Sequence, residues 1–316
     1  MNKNFAFRKI EIEIYNAIIE QHKNIRIRKN HLSINDINII MQSMLDNHPD
    51  VFYVNEWDVF LCNDEIVVCP KYIGAKKEIS VLKMECDKQI KIILSRTNGM
   101  SLKESIKRIH DILIRNITYS ENDNYTYHTI IGPLIERKAV CDGFSRLYKY
   151  LLNKLNIDCI VVRGRGFNGT LIDSESHLWN MINLYGKWYH IDVTYDANLS
   201  LNDYIRYDYF LVDDETIRID HYYDYRDTPK ANDMSEYLYS NKQIAHNKYQ
   251  LLDCFFEKVQ KKESDFIVTI GKDWQIDNIE KAINSCLIDL SGRIEDNNNF
   301  SLNINQTRKI VHVRCS

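Results

Sequence analysis

Cys141, His177 and Asp192 are the side chains whose types and places in the chain could carry out nucleophilic acyl transfer. Cys141 opens the stretch CDGFSRLYKYLLNKL, in which Phe144, Leu147, Tyr148, Leu151, Leu152 and Leu155 recur at the three- and four-residue spacing of one buried helix face. The thiol lies three residues before Phe144, in the first turn and on the same side, where unpaired backbone N–H groups and the helix dipole favour a thiolate. Gly143, lacking a Cβ, leaves room there for a close approach of substrate or backbone. Downstream, DCIVVRG and SHLWNMINLYGKWYHIDVTYD alternate and are rich in Val, Ile, Trp and Tyr, the pattern of consecutive strands. A two-residue turn at Tyr185-Gly186 sets Asp192 opposite Trp179 and makes His177 its diagonal neighbour on one face, within reach of a carboxylate–imidazole hydrogen bond. An odd-length loop would put them on opposite faces. His190, two residues before Asp192, lies on that face as well and competes with His177 for the role of base. A histidine so placed takes the thiol proton and later returns it to a leaving amine, while the carboxylate fixes the tautomer and steadies the imidazolium.

These strands and the Cys141 helix fall in the centre of the chain, residues 89–230, preceded by a helix LKESIKRIHDILIRNI and a polar loop SENDNYTYHT. Residues 1–88 read as an α+β unit: two helices, FAFRKIEIEIYNAIIEQH and SINDINIIMQSMLDNHP with Ser33 as a cap, the piece NIRIR between them, then strand candidates VFYVNEWDVFLC and EIVVCPKYI. Residues 231–316 have a similar pattern, with a helix through QLLDCFFEKV, a strand DFIVTI, a helix IDNIEKAINSCLIDL and a strand pair FSLNI/KIVHVRC. The two flanks are either a diverged duplication or two unrelated small α+β modules. With only four prolines and no Gly/Ser-rich linker, the units should pack together.

Composition excludes more than it proposes. At 44% hydrophobic and 27% charged residues the 316-residue chain is ordinarily globular, and a net charge of -3 gives no overall pull toward nucleic acid or an anionic membrane. No apolar run is long enough to span a bilayer, and charges break the start MNKNFAFRKIEIEIY, so a cytoplasmic location is expected. Eight cysteines without C-x-x-C or Cys/His ligand spacing point to reduced thiols and to no metal site. His221, His246, His110 and His312 likewise lack partners at ligand spacing and read as surface or satisfied histidines, and R-G-R-G at 163–166 as a solvated turn, not an anion cradle. The tyrosine-dense stretch DYIRYDYFLVDDETIRIDHYYDYRD can form one wall of the cleft or clamp the centre to the C-terminal unit.

At three places the sequence resembles the transglutaminase-like superfamily, in its bacterial-type members: K-A-V-C-D-G-F-S matches the nucleophile motif, S-H-L-W-N the histidine strand and Y-H-I-D-V-T-Y-D the Asp-x-Thr strand. The resemblance covers roughly residues 95–225. It implies a papain-like α+β core, a nucleophile helix packed on an antiparallel sheet, with His177 rather than His190 as the base. It also implies amide-acyl chemistry on a protein or peptide substrate, without a cofactor. A second oxyanion donor beside the Cys141 N–H would come from upstream, at Tyr127 or His128, and Trp179 would pack behind the triad. Attack by water on the thioester makes a peptidase or amidase, the preferred reading; attack by an amine makes a transglutaminase. A triad-bearing module that only binds is the alternative of another class. The oligomeric state cannot be read from the sequence.

Overall fold

The computed structural model describes residues 3–315 apart from 123, 168–174, 202–203, 227, 233–242, 272, 277 and 292–299. Helix α1 (Lys3–Ile19), strand β1 (Ile25–Arg28) and helix α2 (Ile34–Asn47) are followed by a hairpin of β2 (Val54–Cys62) and β3 (Glu65–Tyr72), giving a three-stranded sheet in the order β1-β3-β2. Ser33 caps α2 as its position implies. Its Oγ accepts from the Asp36 N–H at 3.1 Å, and the Asp36 carboxylate accepts from the Ser33 N–H at 2.9 Å.

A 20-residue helix, α3 (Lys76–Ser95), then runs straight through position 88, where the sequence places a boundary between units. Ile79, Cys86, Ile90 and Ile93 form a buried stripe on this helix that joins a continuous core. That core extends from Ile14 in α1 to residues 210 and 211, and it includes Phe144 and Leu147. The N-terminal region and the central region are thus built around the same apolar interior.

Helix α4 (Leu102–Asn116) leads to two short parallel strands, β4 (Thr118–Tyr119) and β5 (Lys138–Ala139), which bring Tyr119 alongside Ala139. Helix α5 (Cys141–Lys154) starts two residues later. It packs on a five-stranded antiparallel sheet formed by β6 (Cys159–Gly166), β7 (Glu175–Leu184), β8 (Lys187–Ile191), β9 (Phe210–Val212) and β10 (His221–Tyr223), in the order β10-β6-β7-β8-β9. Short helices α6 (Val193–Leu199) and α7 (Asp214–Ile217) connect its last strands. Arg163 to Gly166 are part of β6, all four paired with β7 and residues 164–166 also with β10, and not a turn. Glycine is required at 164 because a side chain would collide with the Tyr222 carbonyl and the Trp179 ring.

Tyr185 and Gly186 both adopt positive φ, 55° and 85°, the signature of a two-residue turn whose twist matches the strands it joins. Leu184 therefore pairs with Lys187 and Asn180 with Ile191, the register that carries Asp192 to the level of Trp179.

The C-terminal region, with β11 (Gln243–Ala245), α8 (Lys248–Gln260), β12 (Asp265–Ile270), α9 (Ile279–Ser291), β13 (Phe300–Asn305) and β14 (Ile310–Cys315), has its own core around Phe255, Phe266, Ile283 and Val311. From α8 onward its helix-strand-helix-hairpin order repeats that of the N-terminal region, and in its four-stranded sheet, β11-β12-β14-β13, the last three strands repeat the order β1-β3-β2.

The start of α5 rests on the backbone of residues 127–129. A Cβ at position 143 would meet the Tyr127 carbonyl oxygen well inside contact distance and the Thr129 carbonyl at 3.1 Å. Gly143→Ala is therefore expected to lower the urea midpoint by the equivalent of about 1–3 kcal/mol at an unchanged slope. An unchanged midpoint would show that the helix start is not seated on this loop.

Candidate active site

The site is assembled around Asp192, which follows β8 directly and is the N-cap of α6. Its Oδ1 accepts from the backbone N–H groups of Thr194 and Tyr195 at 2.9 and 3.0 Å. Its Oδ2 meets Nε2 of His177 at 2.6 Å and Nε2 of His221 at 2.9 Å. Burial alone would raise the pKa of this fully enclosed carboxyl, but the two imidazoles hold it well below the usual carboxylate range.

His177 projects from β7 on the same face. With Nε2 committed to Asp192, Nδ1 is the nitrogen left for Cys141, which lies close enough to raise the pKa of this ring. Burial pushes the imidazole pKa down, yet Asp192 and then Cys141 override it and bring the value up to about 9. The ring is thus an imidazolium at neutral pH. Trp179 stacks on it at 5.9 Å between centroids and 18° between planes, forming the wall behind the pair.

His190, the competing base, is engaged elsewhere. Its Nδ1 accepts from Trp179 Nε1 at 3.0 Å, and its Nε2 faces Asp214 Oδ1 at 2.9 Å. Burial lowers its pKa despite Asp214, and the Trp179 indole stands between it and His177.

Around the sulfur, the structure brings together residues that the sequence marked and residues that it did not. Tyr127 is buried, and its carbonyl accepts from the Val140 N–H at 3.1 Å, so that Tyr127 and Gly143 together seat the first turn of α5. The His128 ring faces Asp142 at 3.4 Å, and its carbonyl accepts from Arg146 at 2.6 Å. Asp142 lies 3.5 Å from the Cys141 sulfur, and His128 and Arg146 outweigh burial to bring its pKa down to about 2. Tyr119, singled out by nothing in its local sequence, reaches the site through the β4–β5 pairing. Burial and then the nearby Cys141 raise the pKa of its phenol, which is 38% exposed. Arg163, in the stretch read as a solvated turn, donates to Asp46 of α2 at 2.8 Å, and Arg146 donates to the same carboxylate at 2.9 Å.

A cavity of about 480 Å³ opens beside this helix start, lined among others by Phe52, Trp57, Tyr125, His128, Asp142 and Arg146. It lies between the N-terminal sheet region and the central one.

His221 joins the site although its local sequence does not mark it. Read in the sequence as a satisfied or surface histidine, it is buried and bound to the same carboxylate oxygen as His177. One donor atom from each of His177, Asp192 and His221 lies within 4.8 Å of the others. Lengths of 2.6 and 2.9 Å onto a single oxygen are those of two N–H donors.

Residues 92–193 match the family model of the Transglutaminase-like superfamily, a span that takes in Cys141, His177 and Asp192 and stops short of His221. This segment is the transglutaminase-like core of an α+β chain. No curated protein matches. Among solved structures the chain is similar to one described as a TGase, at 17% identity and a TM-score of 0.33, over 54% of this chain and 50% of that one. It is also similar to a proposed cysteine protease from Cytophaga hutchinsonii, at 17% identity and a TM-score of 0.31, over 44% and 61% of the two chains. A third is an arylamine N-acetyltransferase from Bacillus cereus with a Cys-His-Glu triad, at 15% identity and a TM-score of 0.28, over 36% and 50%. The chain thus spans half to three fifths of the lengths of these neighbours. Thiol-dependent acyl chemistry is the general class that superfamily and site have in common. Among the described residues no helix is long and apolar enough to cross a membrane, and none of the eight cysteines is in a disulfide.

The raised His177 pKa has a consequence for stability. The folded state keeps the proton on this ring between the ordinary value of 6.5 and about 9, whereas the unfolded state releases it. The contribution is complete below 6.5 and is lost as the pH rises through 9. Urea unfolding is expected to show stability falling across this window by roughly 1.4 kcal/mol per pH unit more in the wild type than in His177→Gln. Equal slopes in the two proteins would place the proton elsewhere.

Proposed function

We propose that the chain cleaves amide bonds in a protein or peptide substrate through a thioester on Cys141, with His177 as acid and base and Asp192 orienting it. The observation that carries this reading is the buried His177–Asp192 hydrogen bond, its carboxylate held by two backbone N–H groups, with the helix-start Cys141 close enough to act on the same imidazole. With its proton held on His177, the sulfur attacks the carbonyl carbon, and the electron pair of the C=O bond moves onto oxygen. The oxyanion is met by the Cys141 backbone N–H and, from the wall, by the Tyr119 hydroxyl. Collapse expels the amine as His177 gives its proton to the nitrogen, leaving a thioester. Water then adds with its proton passing to His177, and breaking the C–S bond frees the carboxylic acid and the thiol.

The cavity between the N-terminal and central regions supplies a place for the acyl side of a peptide, apolar along Phe52 and Trp57 and polar at Asp142 and Arg146. Transfer to an amine is the second reading. It is favoured by the Asp142 and Glu56 carboxylates on the lining, which could hold an ammonium group.

Incubation with casein and a labelled primary amine, followed by mass analysis, separates the two. New carboxyl termini without label are expected, and incorporation of the amine in their place would overturn hydrolysis in favour of transfer. Cys141→Ala is expected to abolish turnover with folding retained, and a surviving activity would move the chemistry to another site. Tyr119→Phe is expected to lower kcat by roughly 100-fold with little change in KM, as the loss of an oxyanion donor does. An unchanged kcat would remove Tyr119 from the mechanism.

A further inference from the structure

Behind the candidate triad the line of buried charges does not stop at Asp192. It continues through His221 to Asp220 and ends on Arg308, which belongs to the C-terminal region. His221 Nε2 faces Asp192 Oδ2 at 2.9 Å, and its Nδ1 faces Asp220 Oδ1 at 2.7 Å. An ionised carboxylate only accepts hydrogen bonds, so an imidazole held between two of them must donate from both nitrogens and is doubly protonated. Asp220 is in turn gripped by Arg308, with Nε to Oδ2 and Nη2 to Oδ1 both at 3.0 Å, and by the Tyr209 hydroxyl at 2.7 Å. Arg308 sits at the tip of the β13–β14 hairpin, where Asn305 Oδ1 accepts from its backbone N–H at 3.1 Å. The hairpin tip is fixed by Arg308 Nη1 donating to the Asp208 carbonyl at 2.7 Å, by the guanidinium lying 3.6 Å over the Tyr209 ring, and by Arg206 donating to Asn303. Exposure is 1% at Asp220, 2% at His221 and 6% at Arg308, so water does not screen the series.

We propose that Arg308, Asp220 and His221 are positioning residues for the acyl-transfer site, through which the C-terminal hairpin holds a second imidazolium on Asp192 and thereby sets the proton affinity of His177. This rests on the reading of Cys141 and His177 as nucleophile and base. Both imidazoles draw on one oxygen, Oδ2 of Asp192, so each proton weakens the hold on the other. The titratable and charged groups around His221 are Asp192 at the β8–α6 junction, His177 on β7, His190 on β8, Tyr195 on α6, Tyr209 ahead of β9, Asp220 ahead of β10 and Arg308 behind it. Burial raises both tyrosines, which stay neutral, and it keeps His190 neutral as well. Fixed charge alternates along Asp192, His221, Asp220 and Arg308. Removing the positive charge at 221 would leave Asp192 wholly to His177 and strengthen its grip on that proton. Removing the charge at 308 would act in the same direction from further away.

The test is the pH profile of iodoacetamide alkylation at Cys141 in the 316-residue chain, read by mass analysis against the other seven cysteines. The basic limb of this profile reports loss of the His177 proton. In His221→Gln it is expected to move up by about one pH unit. Arg308→Met should move it the same way by less, and Arg308→Lys should return it to the wild-type position. If His221→Gln does not fold, the two Arg308 variants decide alone. Rates that fall while the limb stays fixed would make the series merely structural and overturn the proposal, leaving the triad intact. Wild-type Cys141 reacting no faster than the other cysteines would overturn the site reading and this inference with it.

Discussion

One buried carboxylate holds the site together. Removing Asp192 from water would cost several kcal/mol if its oxygens were left unmet, and the fold meets them with two backbone N–H groups and two imidazoles. These donors come from α6, β7 and β10, so the carboxylate is satisfied only when all three are in place. The same contacts that stabilise the charge start α6, turn His177 toward the sulfur and bring in His221. A register slip of one residue in the β7–β8 hairpin would send the carboxylate to the other face of the sheet and undo all of them at once.

The flanking regions serve this arrangement from opposite sides. From the N-terminal region, Asp46 of α2 accepts from Arg146 on α5 and Arg163 on β6, pinning the helix that carries Cys141 to the sheet beside the cavity. From the C-terminal region, Arg308 pairs with Asp220 and closes the series of charges that runs from Asp192 through His221. Both are buried ion pairs of the kind that specify one arrangement more than they stabilise it, because breaking either would strand an uncompensated charge. Asp208, Tyr209 and Asp220, from the tyrosine-dense stretch, make the second contact and so clamp the centre to the C-terminal region.

What could be read from the sequence was whatever is encoded locally. The α5 stripe, the alternation of β7 and β8 and the Tyr185-Gly186 turn together determine the relative places of Cys141, His177 and Asp192, and the structure has that register. Helix α3 escaped because only four of its 20 residues are buried, leaving a lysine- and glutamate-rich surface with a thin apolar stripe. His190 could not be separated from His177 by strand position, since both share a face; the distinction comes from Trp179 and Asp214. His221 and Tyr119 were invisible for a related reason. Their neighbours are chosen by the pairing of β10 with β6 and of β4 with β5, between segments far apart in the chain.

The central claim is that Asp192 keeps a proton on His177 at neutral pH, next to the Cys141 sulfur. An NMR titration of the His177 imidazole nitrogens measures this directly. The structure predicts both nitrogens protonated at pH 7 and a midpoint near 9, with the midpoint dropping sharply in Asp192→Asn. A wild-type midpoint at or below 6.5, unaffected by that substitution, would contradict it.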